Sequence, residues 1–120
     1  MTVIIIHGHL GKIYKKSIDK MSNIGTELKI NIHLDELDGY RMSDIDFSCD
    51  FYVYTNRKIT INKEEMVKVD DDNYIACFDS TQLGVGKIMC RVTAYIPDAD
   101  FEDGLRKEIE TVETNVTITR

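Results

Sequence analysis

Apolar and polar residues alternate with a period of two along most of this chain. The longest run, residues 87–97, puts Ile88, Cys90, Val92, Ala94 and Ile96 on one side. Lys87, Arg91 and Thr93 fall on the other side, together with Met89 and Tyr95. Successive side chains leave opposite faces of a pleated strand, so this pattern predicts a half-buried β-strand. The glycine-punctuated turn Leu83-Gly84-Val85-Gly86 precedes it and an acidic loop follows, which makes it a central strand of an antiparallel domain.

The same period recurs on both sides of that run. Leu28, Ile30, Ile32 and Leu34 share one face of a strand that closes at an Asp38-Gly39 turn signal. Ile45, Phe47, Cys49, Phe51 and Val53 form the inward face of the next strand. Its outer face changes from Asp46, Ser48 and Asp50 to Tyr52 and Tyr54, which suggests partial cover by a loop or a partner. Asn56-Arg57 reads as a hairpin turn into residues 58–62, and short strands follow over 66–69 and 74–79. Residues 98–104 form a loop whose Phe101 is expected to fold back on the core edge. Residues 107–119 alternate again through Ile109, Val112, Val116 and Ile118, with a one-residue slip between Ile109 and Val112 that predicts a bulge there.

Near the start, residues 2–9 are β-branched and strand-like, while residues 12–25 carry no decisive period. The pattern gives about seven strands spaced by turn signals, which predicts a β-sandwich or barrel over βαβ units. The expected fold is an all-β antiparallel sandwich over residues 26–120, preceded by an N-terminal strand or arm over residues 1–25.

Composition narrows the classes of function. The 120 residues suffice for one core of ordinary size, and 42% apolar with 30% charged residues is the balance of a soluble globular domain. The longest N-terminal apolar stretch, Val3-Ile4-Ile5-Ile6, is too short for a signal peptide or a membrane span. A cytoplasmic protein is expected, with assembly into a particle as its route out of the cell. The net charge of −6 argues against nucleic acid, and Lys12, Lys15, Lys16 and Lys20 are too sparse to reverse it. The three cysteines, Cys49, Cys77 and Cys90, have no C-x-x-C spacing and lie in apolar strand runs, which reads as buried free thiols.

No catalytic constellation emerges, and the chain is expected not to be an enzyme. His7 and His9 leave a strand on the same side, but only His33 remains as a further nitrogen ligand, so no metal is expected. Asp70-Asp71-Asp72-Asn73 lacks EF-hand spacing and reads as an acidic turn. No G-x-S-x-G elbow supports a serine nucleophile, and Gly84-Val85-Gly86 opens no helix that would cradle a phosphate. No cofactor is implied. The interaction candidates are Tyr52 and Tyr54, because tyrosine combines contact area with a hydroxyl, and Val3 and Ile5 on a β-branched segment that could pair with another chain.

The segment Asp79-Ser80-Thr81-Gln82-Leu83-Gly84-Val85-Gly86-Lys87 leads into the long strand, and Asp103-Gly104-Leu105-Arg106 follows it, with Thr114-Asn115-Val116-Thr117-Ile118 in the tail. This arrangement resembles the immunoglobulin-like domains of phage and prophage tail or baseplate proteins, notably the N-terminal domain of upper-baseplate proteins, over residues 26–120. The resemblance implies a structural module that assembles with copies of itself and with other tail or baseplate proteins. A carbohydrate- or surface-binding module that uses exposed tyrosines is the alternative.

Overall fold

The computed structural model describes residues 1–7 and 20–120. Nine strands lie among the described residues: β1 (Thr2–His7), β2 (Lys20–Asn23), β3 (Glu27–Asp35), β4 (Asp46–Tyr54), β5 (Arg57–Asn62), β6 (Val67–Asp70), β7 (Asn73–Asp79), β8 (Gly86–Pro97) and β9 (Leu105–Thr119). They form a four-stranded sheet in the order β1-β3-β7-β6 and a five-stranded sheet in the order β2-β9-β8-β4-β5. Removing β2 leaves the strand order of an immunoglobulin sandwich with one added edge strand, β5. The expected all-β sandwich is therefore the fold.

Residues near the N-terminus supply an edge strand to each sheet. β1 pairs antiparallel with β3, and β2 pairs parallel with β9. The sheets are thus antiparallel except at β2; β3 to β9 are the seven strands expected over residues 26–120, and residues 1–25 add β1 to one sheet and β2 to the other.

The predicted inward faces form the core. Ile88, Cys90, Val92, Ala94 and Ile96 of β8 are buried, as are Leu28, Ile30, Ile32 and Leu34 of β3. Phe47 of β4 meets Tyr74 of β7 edge-on with ring centroids 5.2 Å apart, and Phe51 meets Phe78 at 4.6 Å, so aromatic pairs bridge the two sheets.

Three expectations are corrected. Cys77 is exposed, because Tyr74, Ala76 and Phe78 take the inward positions of β7 and leave Cys77 on the opposite face; Cys49 and Cys90 are buried. Phe101 does not fold back on the core, and 47% of its surface is exposed. The register of β8 against β9 is unbroken from Thr93 opposite Ile109 to Cys90 opposite Val112. The slip lies further on, where Lys87 faces Thr117 but Met89 faces Glu113. In that irregularity the buried Thr114 hydroxyl donates to the Ile88 carbonyl at 2.7 Å and accepts from the Val116 N–H at 3.2 Å. The buried Thr114 hydroxyl stands in for missing ladder bonds, and Ile109 is left on the exposed side.

Among the described residues, no helix is long and apolar enough to cross a membrane.

Candidate interaction surface

The two tyrosines on β4 have different environments. Tyr52 is only 8% exposed, and the Arg91 guanidinium lies 5.6 Å from its ring centroid. Tyr54 is 54% exposed, and its hydroxyl donates to the Val85 carbonyl at 3.1 Å. The pair does not form an open platform, because Arg91 of the neighbouring strand lies over the first ring. Tyr54 is held upright by the turn that leads into β8. That turn approaches β4 closely because it is built from glycine: Gly84 has φ +88° and would place a β-carbon 3.2 Å from the Tyr54 ring.

Tyr54 forms one wall of a cleft of about 420 Å³ at this end of the five-stranded sheet, which Ile24, Arg57, Val85 and Arg120 also line. Backbone pairing brings these segments together. Arg57 opens β5 opposite Tyr54, and Ile24 donates its N–H to the Thr119 carbonyl at 2.7 Å, just before Arg120. Among the described residues, Arg57 and Arg120 have no carboxylate partner. They stand together in one cleft, beside the exposed Tyr54 and Ile24. By contrast, Arg41 is held by Asp72 at 2.5 Å, and Arg106 bonds Asp38 at 2.7 Å, Glu108 at 2.9 Å and also Asp98. Sequence reading took Arg57 only as part of a hairpin turn; its proximity to Tyr54 and to the 83–86 turn depends on strand register.

Val3 and Ile5 do not form an outer surface. Ile5 is buried and Val3 packs against the same core, because β1 pairs within its own chain. Ile4 of β1 is exposed.

Among the described residues, no group of three or more His, Cys, Asp or Glu side chains is arranged to hold a metal ion. His33 Nδ1 lies 2.7 Å from the Asp72 carbonyl, which fixes the ring against the acidic turn. His9, Lys12, Lys15 and Lys16 fall outside the described residues, as does the His7 side chain.

The acidic turn satisfies its own charges. Asp70 accepts from the Asn73 amide at 2.9 Å and from the Asp72 N–H at 2.8 Å, and these bonds lower its pKa. Asp71 lies 3.1 Å from the Lys68 ammonium, which lowers its pKa. The 98–104 loop is different. Asp98 is taken up by the Asp100 N–H and by Arg106, and Asp103 accepts from the Leu105 N–H at 3.1 Å. Asp100, Phe101 and Glu102 form its exposed tip.

A larger cleft of about 600 Å³ lies beside Asp46, Lys63, Lys68 and Tyr74. Its cations are already committed: Lys63 Nζ donates to the Ser43 and Ile45 carbonyls at 3.0 and 2.6 Å, and Lys68 pairs with Asp71. The cleft beside Arg57 is the better recognition site because its cations are uncommitted and its apolar walls adjoin them. No family model matches the chain, and no curated protein matches it.

Proposed function

We propose that this chain is a non-enzymatic assembly module that builds a larger particle from copies of itself and further subunits, in the manner of a phage tail or baseplate component. The observation that carries the reading is the cleft beside Arg57, where exposed apolar surface adjoins arginines without carboxylate partners. Aromatic and arginine side chains are the usual anchors of protein interfaces. The immunoglobulin-like sandwich and the turn pattern around residues 79–87 and 103–106 support the same reading. Sugar binding through paired tyrosines is less well supported, because stacking needs open ring faces and Tyr52 is covered by Arg91.

Negative-stain electron microscopy of the concentrated full chain tests this proposal. Regular rods, rings or arrays are expected. Dispersed single particles at every concentration would count against self-assembly.

A further inference from the structure

We propose that the tip of the 98–104 loop of one copy docks in the cleft beside Arg57 of the next, so that copies join head to tail. This names the contact behind the assembly reading and rests on that reading.

The loop has the chemistry that the cleft lacks. Asp100, Phe101 and Glu102 present two carboxylates on either side of an exposed ring. Among the described residues, neither Asp100 nor Glu102 has a side-chain partner in its own chain. The tip is already ordered: the Asp98 N–H donates to the Gly104 carbonyl at 2.9 Å, and the Gly104 N–H donates to the Phe101 carbonyl at 2.9 Å. Little conformational entropy is then lost on docking. In the cleft, Ile24, Tyr54 and Val85 offer apolar walls for the ring, and Arg57 and Arg120 offer cations for the flanking carboxylates. Arg57, held opposite Tyr54 at the start of β5, is the selective group.

Geometry makes the contact intermolecular. β8 starts at the turn that forms the cleft wall and ends at the loop, and its 12 residues span roughly 36 Å. A loop at one end cannot reach the cleft at the other end of the same chain. An interface between two different surfaces is heterologous and extends into an open polymer or closes into a ring.

Two variants test the contact by light scattering. Arg57→Glu removes the cleft cation and keeps the loop; Phe101→Ser removes the ring and keeps the cleft. Both positions are exposed, and melting curves check that each variant folds; Arg57→Gln replaces the first if it does not. Each variant alone is expected to associate about tenfold more weakly or worse. Mixed in equal amounts, they retain one competent contact per pair and are expected to form discrete heterodimers. If both variants assemble like the unmodified chain, the docking proposal is wrong and the assembly reading survives through another surface. If the unmodified chain is monomeric at every concentration, both fail.

Discussion

Gly86 lies directly against Val53: a β-carbon on Gly86 would stand 2.7 Å from Val53 Cγ1, and its φ is +139°. Space and backbone conformation both require glycine there. Gly86→Ala is expected to cost about 2 kcal/mol or more in urea denaturation. Gly39 is the control, with φ +87° but open space around it, and Gly39→Ala is expected to cost about 1 kcal/mol. Equal losses at the two sites would mean that the contact with Val53 contributes nothing.

Thr114 makes the same kind of argument for the β9 irregularity. Its buried hydroxyl bonds both Ile88 and Val116. Thr114→Val leaves a buried carbonyl and a buried N–H without that partner and is expected to cost about 1–3 kcal/mol. Thr114→Ser is expected to retain most of the stability, and chemical denaturation of the three proteins compares them.

Much of this fold can be read from the chain because β8, β3 and β4 each bury one face, and period two records burial directly. The slip in β9 is harder to place. Ile109 and Val112 break the period in sequence, yet the ladder absorbs that break and bends only at Thr114, where a hydroxyl can stand in for backbone partners. Cys77 was misplaced because one apolar residue on a short strand says little about its side of the sheet. The cleft was half legible: Tyr54 stands out in sequence, but Arg57, Ile24 and Arg120 meet it only through strand pairing.

The thiols report on that correction. Cys77 is expected to react with a thiol reagent in the native protein, whereas Cys49 and Cys90 are expected to react only on unfolding. A hydrogen bond to Cys90 and burial push the Cys49 thiol well above its ordinary pKa, so thiolate is scarce there. Titration with such a reagent should give one reactive thiol per native chain, and three fast thiols would contradict the core described above.

Acid stability follows from the ion pairs around Arg106. The Met1 ammonium, 3.0 Å away, and Arg106 lower the pKa of Glu108, whose ordinary value is 4.5. The Asp100 N–H and Arg106 lower that of Asp98 from 3.8. Both groups have folded pKa values below their unfolded values. Their contribution is therefore present above the ordinary values and is lost as pH falls through the folded values. The urea midpoint should fall between about pH 5 and about pH 3, and Arg106→Gln should flatten that fall. An unchanged slope in the variant would remove Arg106 from the explanation.

Sedimentation velocity of the unmodified chain over a concentration series tests assembly most directly. The account predicts a sedimentation coefficient that rises with protein concentration and falls back as salt is raised from about 0.05 to about 0.5 M, because arginine–carboxylate contacts are screened. A single monomeric species across the whole series, at both salt levels, would contradict it.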